Sequence, residues 1–185
     1  MISKNSCICT IVIGLLSLQQ GCMTAYPQTY TNEDNNRRTT EITDLLCAMS
    51  PTVDRQEANK LAATAVNKTM LLAHEYNVVT TAGTHNLLIN LGLKERGLCF
   101  QWADDLYEKL QPLAPKTLQV QKVGTDVGDF DEHHALVVTV PGQPIGTGIL
   151  LDPWRGQGHL MYMPLAKDKG NDWVVENIEG KRQPK

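Results

Sequence analysis

Hydrophobic residues in the first half of the chain recur at helical spacing. Asp54 and Glu57 form a capping-box-like pair, which is typical of a helix start. Apolar side chains then return every three or four residues, and this spacing predicts a helix over residues 55–75. Shorter amphipathic runs predict one helix that ends before Pro51 and another that ends near Gly92.

A fourth helical run begins with a cysteine. Its apolar residues fall at offsets of 0, 3, 4, 7 and 11, which lie on one face of a helix. They are Cys99, Trp102, Ala103, Leu106 and Leu110. Pro112 and Pro115 end the run. The pattern therefore places Cys99 in the first turn of a helix, on its packed side.

The second half of the chain changes from helical spacing to alternation and β-branched runs. Three strands are predicted from TLQVQKV, HHALVVTV and IGTGILLDPW, and two edge strands from GHLMYMPL and DWVVENI. Helices followed by strands are typical of the α+β class. We expect the N-terminal helices to pack on a C-terminal antiparallel sheet.

The N-terminus has the layout of a secretory signal. Lys4 precedes an apolar stretch over residues 7–18, which is short for a membrane span. Gly21-Cys22 resembles the cleavage site of bacterial lipoproteins, although Gln19 stands where a leucine is usual. We expect Cys22 to be lipidated. A non-lipidated signal peptide or an uncleaved anchor is the alternative.

Three segments follow from this interpretation. Residues 1–21 are the signal peptide, and the polar residues 22–38 are a flexible tether. Residues 39–185 are long enough for one folded domain. The net charge of −3 and the lack of a large basic block argue against nucleic acid as a partner. The predicted location is the cell envelope, on a membrane-anchored lipoprotein that faces the periplasm.

The remaining cysteines and the histidines leave several roles open. After processing at Cys22, Cys47 and Cys99 would form one disulfide, or one would be a buried thiol and the other a reactive thiol. The tandem His133-His134 suggests a metal, but neighbours on a strand point to opposite faces. We therefore expect neither a metal nor another cofactor.

Three side chains suited to thiol chemistry follow one another along the chain. Cys99 opens a helix, His134 lies on a predicted strand and Asp152 ends the next strand. A helix N-terminus and a neighbouring imidazolium lower the pKa of a thiol, so we expect Cys99 to ionise more readily than free cysteine. Imidazole takes and returns the proton, and a carboxylate on its other nitrogen fixes the tautomer.

The same residues carry a resemblance to a known family. GLCFQWA, HALVV and LLDPW resemble, in order and spacing, motifs of transglutaminase-like, papain-fold thiol enzymes, over about residues 87–154. The resemblance implies a papain-like fold with Cys99 as nucleophile, His134 as base and Asp152 as orienting acid. Leu136 departs from the pattern, because the family often has an aromatic residue there.

The resemblance implies an amide-bond enzyme, that is a peptidase, an amidase or an acyl-transferase. A peptide, a protein or a cell-wall peptide would be its substrate. The backbone N–H of Cys99 is one expected oxyanion donor, and the upstream side-chain candidates are His85, Asn86 and Asn90. The alternative is a non-catalytic binding or scaffold lipoprotein that keeps the fold, since each triad residue also has an ordinary structural explanation.

Overall fold

The computed structural model describes residues 31–129 and 131–176. Over these residues the chain forms four α-helices followed by a five-stranded antiparallel sheet. The predicted α+β class is therefore confirmed. The predicted signal peptide at residues 1–21 and the predicted lipidation site at Cys22 lie outside the described residues.

The four helices are α1 (Asn32–Ala48), α2 (Arg55–Glu75), α3 (Ala82–Asn90) and α4 (Cys99–Leu110). Helix α2 has the predicted bounds, and its N-cap Asp54 accepts hydrogen bonds from the N–H groups of Gln56 and Glu57 at 2.8 and 2.9 Å. In α4 the buried residues are those of the predicted apolar face. Within the described part of the chain, no helix is long and apolar enough to cross a membrane.

Helix α1 begins inside the segment that was predicted to be a tether. Thr31 caps it by accepting a hydrogen bond from the N–H of Asp34 at 3.1 Å. Arg37 forms ion pairs at 3.1 Å with Asp34 and with Glu41, one turn away on either side. Caps and ion pairs at this spacing support a helix that has few apolar residues. The tether prediction is therefore wrong for residues 32–38.

The sheet has the strand order β4-β3-β2-β1-β5. Its strands are β1 (Gln119–Thr125), β2 (His133–Thr139), β3 (Ile149–Asp152), β4 (Met161–Pro164) and β5 (Val174–Val175). Every neighbouring pair is antiparallel. The two predicted edge strands do lie at the edges, and β2 is the central strand.

Apolar side chains cover both faces of the sheet. Leu136 and Val138 of β2 belong to the larger core, which α1, α2 and α4 complete. Ala135 and Val137 belong to a second cluster that includes Trp173. Alternation along a strand explains why neighbouring residues of β2 enter different clusters. The same alternation separates the two histidines at the start of β2.

Candidate active site

The start of α4 is held by side chains of the helix itself. The Gln101 side-chain oxygen accepts hydrogen bonds from the N–H groups of Gly97 and Leu98, at 2.7 and 3.1 Å. The Trp102 indole N–H donates to the carbonyl of Gly97 at 3.0 Å. These bonds fix the backbone that leads into Cys99, the first residue of α4, which is buried.

The Cys99 thiol lies beside the chain segment that enters β2. Its Sγ donates to the carbonyl oxygen of Glu132 at 3.7 Å, and Glu132 directly precedes His133. Burial raises the pKa of the Cys99 thiol, and the carboxylates of Glu132 and Asp152 act in the same direction. The backbone N–H groups of His134 and Phe100 oppose this change without cancelling it. The predicted lowering of the Cys99 pKa is therefore wrong.

His133 is the histidine that pairs with Asp152. Its Nε2 lies 2.7 Å from Oδ2 of Asp152, and both side chains are buried. Although burial of Asp152 raises its pKa, the hydrogen bond from His133 and the charges of His133 and Arg155 hold that pKa below its usual range. The other ring nitrogen of His133, Nδ1, is buried and has no hydrogen-bond partner among the described residues.

His134 has a different pair of carboxylates. Its Nδ1 bonds to Glu176 and its Nε2 bonds to Glu132. Burial lowers the pKa of His134, but these two hydrogen bonds and the two negative charges raise it above its usual value. Because carboxylates occupy both nitrogens of the His134 ring, neither nitrogen is available to accept the Cys99 proton. The predicted pairing of His134 with Asp152 is wrong.

The strand register explains which histidine meets Asp152. Leu136 of β2 lies opposite Leu151 of β3, so the alternation places Asp152 on the face of Ala135. His133 is two residues from Ala135 and shares that face, whereas His134 shares the face of Leu136. A diagonal pair of this kind is within reach of long side chains.

The three upstream candidates for an oxyanion donor have different surroundings. His85 is fully buried, and its Nε2 lies 2.9 Å from the carbonyl oxygen of Arg96. The side-chain oxygen of Asn86 accepts a hydrogen bond from the Trp154 indole at 3.2 Å. Asn90 is exposed at the end of α3. Of these three, only Asn86 bonds to a residue whose ring packs on His133.

Besides Asp152, aromatic and charged side chains surround His133, and of these the sequence had indicated only Trp154, in the LLDPW motif. Its ring lies 4.9 Å from the ring of Trp154 and 5.5 Å from the ring of Trp173. Arg155 donates to Asp152 from its backbone N–H, at 2.9 Å, and from its Nε. The guanidinium of Arg155 also binds Asp168 through two hydrogen bonds of 2.9 and 3.0 Å. The only sequence signal for this group is the Asp-Pro-Trp-Arg order, in which Asp152 and Arg155 are three residues apart.

Cys47 and Cys99 are both free thiols, so the disulfide alternative is wrong. Over residues 31–129 and 131–176, no group of three or more His, Cys, Asp or Glu side chains is placed to hold a metal ion. The structure thus shows a buried His133–Asp152 pair, and the Cys99 thiol contacts the carbonyl of Glu132, the residue before His133. Comparison with family models, with curated proteins and with solved structures finds no match to this chain.

Proposed function

We propose that the protein is a thiol enzyme that acts on amide bonds through Cys99, His133 and Asp152, on a papain-like, transglutaminase-like arrangement of helix and sheet. The observation that carries the proposal is the buried hydrogen bond between His133 Nε2 and Asp152. It leaves Nδ1 of the same ring without a partner among the described residues, and His133 directly follows Glu132, whose carbonyl contacts the thiol. Nδ1 of the buried His85 also lacks a partner within the described part of the chain, but the other nitrogen of His85 bonds to a backbone carbonyl, whereas that of His133 bonds to a carboxylate.

Asp152 sets the tautomer of the base. Because the carboxylate accepts a hydrogen bond from Nε2, the neutral ring carries its proton there and presents a lone pair at Nδ1. The Cys99 pKa is raised, so the thiol stays protonated at neutral pH without help. Nucleophilic sulfur therefore forms when His133 Nδ1 takes the thiol proton and Asp152 stabilises the imidazolium.

The reaction then follows the order of acyl transfer. The sulfur attacks the amide carbonyl carbon, and the N–H of Cys99, at the start of α4, stabilises the charge on oxygen. His133 returns its proton to the departing amine as the C–N bond breaks, which leaves a thioester on Cys99. Water or a second amine, deprotonated by His133, attacks the thioester and restores the thiol. Peptidase, amidase and acyl-transferase outcomes differ only in this acceptor.

An acylation experiment tests the proposal. The full chain is treated with an activated aryl ester near pH 7, and the acylated residue is located by mass spectrometry. We expect a thioester on Cys99 that water or added amine removes, and no thioester there in Cys99→Ser or His133→Gln. Cys47→Ser is the matched control and should acylate like the wild type. Equal acylation of Cys99 and Cys47, or acylation of Cys99 that is unchanged by His133→Gln, would favour the non-catalytic scaffold alternative.

We further propose that the enzyme is a lipoprotein anchored through Cys22 and facing the periplasm, where a cell-wall peptide or another protein is its substrate. The support is the apolar stretch followed by Gly21-Cys22. Cys22→Ser should leave the protein unprocessed or release it to the soluble fraction, whereas Cys9→Ser, in the same segment, should not. Soluble wild-type protein with an unmodified N-terminus at another position would contradict the anchor.

A further inference from the structure

A second carboxylate, partly buried, is linked to the His133–Asp152 pair. Asp168 precedes Asn171 and Trp173 in a short segment before β5, and it accepts hydrogen bonds from both, at 3.1 and 2.8 Å. It also receives both terminal nitrogens of Arg155. Its side chain is 8% exposed, compared with 25% for Arg155. This ion pair is therefore shielded from water to a degree that exposed surface pairs are not.

Two chains of contacts join Asp168 to His133. One runs through Arg155, whose Nε bonds to Oδ2 of Asp152, the same oxygen that His133 Nε2 bonds. The other runs through Trp173, whose indole N–H donates to Asp168 and whose ring packs on His133. Asp168 thus holds Trp173, whose ring packs on the imidazole of His133. It also holds the guanidinium of Arg155, which shares Oδ2 of Asp152 with His133.

His133, Asp152, Arg155 and Asp168 follow one another through hydrogen bonds, and their charges alternate when His133 is protonated. The imidazolium is followed by Asp152, Arg155 and Asp168, so the four groups sum to zero. A guanidinium on Oδ2 draws negative charge away from the imidazole and weakens the support that Asp152 gives to the imidazolium. The bidentate bond to Asp168 compensates the guanidinium, since it supplies a second negative charge to the same cation.

We infer that Arg155 and Asp168 are positioning residues for the triad: Arg155 fixes the carboxylate of Asp152, and Asp168 offsets the charge of Arg155 so that His133 can take the Cys99 proton. This inference rests on the proposed function. A purely structural ion pair would hold the loop after β3 in place and would not change the pH at which Cys99 becomes reactive.

The pH dependence of Cys99 alkylation distinguishes the two roles. Iodoacetamide labelling of Cys99 in the full chain is measured by mass spectrometry from pH 5 to 9. We expect Asp168→Asn to move the rise in labelling to higher pH and to slow labelling about tenfold at pH 6, the effect of roughly one pKa unit. Asp168→Glu keeps the charge and should restore most of the rate. Asp44→Asn removes the carboxylate from an exposed ion pair with Arg55, and it should leave the pH profile of labelling unchanged.

Arg155→Lys provides a second variant if Asp168→Asn is unfolded by circular dichroism. Lysine keeps the charge next to Asp152 but lacks the fork that binds both carboxylates, so we expect the same direction of shift. A uniform loss of rate at all pH values, with the same midpoint, would overturn the positioning role. His133→Gln distinguishes a failure of the positioning role from a failure of the proposed triad. If it abolishes labelling at neutral pH while Asp168→Asn matches Asp44→Asn, the inference alone fails. If it changes nothing, the proposed triad fails, and the inference fails with it.

Discussion

His133 donates to Asp152 at 2.7 Å, while the next residue along the strand bonds to two other carboxylates. Two adjacent histidines therefore have different surroundings. His133 keeps one ring nitrogen without a partner among the described residues, whereas His134 uses both nitrogens to connect Glu132 with Glu176. The first arrangement suits proton transfer and the second suits structural support.

The buried carboxylate of Asp152 should make the protein sensitive to acid. Its pKa is held below the usual value, so its stabilising effect is present above about pH 4 and is lost as pH falls through the folded-state pKa. Asp152→Asn breaks a buried pair, and we expect it to lower the free energy of unfolding by about 3 kcal/mol at pH 7. Urea unfolding at pH 7 and at pH 3.5 measures this, and the difference from wild type should shrink at the lower pH.

The control for that prediction is Asp44→Asn, which breaks an exposed pair with Arg55. Exposed pairs contribute at most about 1 kcal/mol, so this variant should unfold like the wild type at both pH values. An Asp152→Asn variant that is as stable as Asp44→Asn at pH 7 would contradict the account of the buried pair.

The opposite pH dependence is expected from His134. Its pKa is raised, so its contribution to stability is complete below about pH 6.5 and is lost as pH rises through the folded-state pKa. Glu176→Gln removes one of the two carboxylates and should lower the melting temperature at pH 6 more than at pH 9. Glu108→Gln, an exposed carboxylate on α4, is the control and should change neither value. An equal loss at both pH values for Glu176→Gln would refute the linkage.

The backbone before α4 should tolerate only glycine. Gly97 has φ of +125°, and a Cβ added there would lie 2.5 Å from Nε2 of the buried His85. We expect Gly97→Ala to lower the free energy of unfolding by about 3 kcal/mol, from backbone strain and overpacking together. Gly92→Ala is the matched control, because Gly92 also has a positive φ, of +71°, but no atom within 4 Å of the added Cβ.

Gly92→Ala should therefore cost only about 1 kcal/mol, the strain of a positive φ alone. Chemical denaturation of both variants measures the difference, and labelling of Cys99 in Gly97→Ala reports whether the start of α4 has moved. Equal stability of the two variants would show that the His85 contact does not restrict this position.

Local sequence patterns were sufficient for most elements of the fold. The capping residue Asp54 and the apolar spacing after it define α2, because both signals act within a few residues of each other. The offsets from Cys99 define α4 for the same reason. The start of α1 was missed, because caps and ion pairs hold it while its composition resembles that of a tether.

The site depended on information that is not local. Alternation predicted that His133 and His134 separate, but the register between β2 and β3 decides which one meets Asp152, and residues 140–148 connect these strands without fixing it. The Cys99 pKa was predicted from the helix end and a neighbouring imidazolium, and the burial that raises this pKa exists only after the sheet packs. Asp168 reaches the site through Arg155, so no short motif contains it.

The most direct test of the proposed triad is the rate at which iodoacetamide labels Cys99 at pH 7 in the folded wild type, in His133→Gln and in His134→Gln. We expect His133→Gln to slow labelling by about 100-fold, because a thiol of raised pKa without a base holds little thiolate, and to regain rate only in strongly alkaline solution. His134→Gln should keep most of the wild-type rate, with Cys47 as the internal reference. The opposite ranking, with His134→Gln slow and His133→Gln unaffected, would contradict the assignment of His133 as the base.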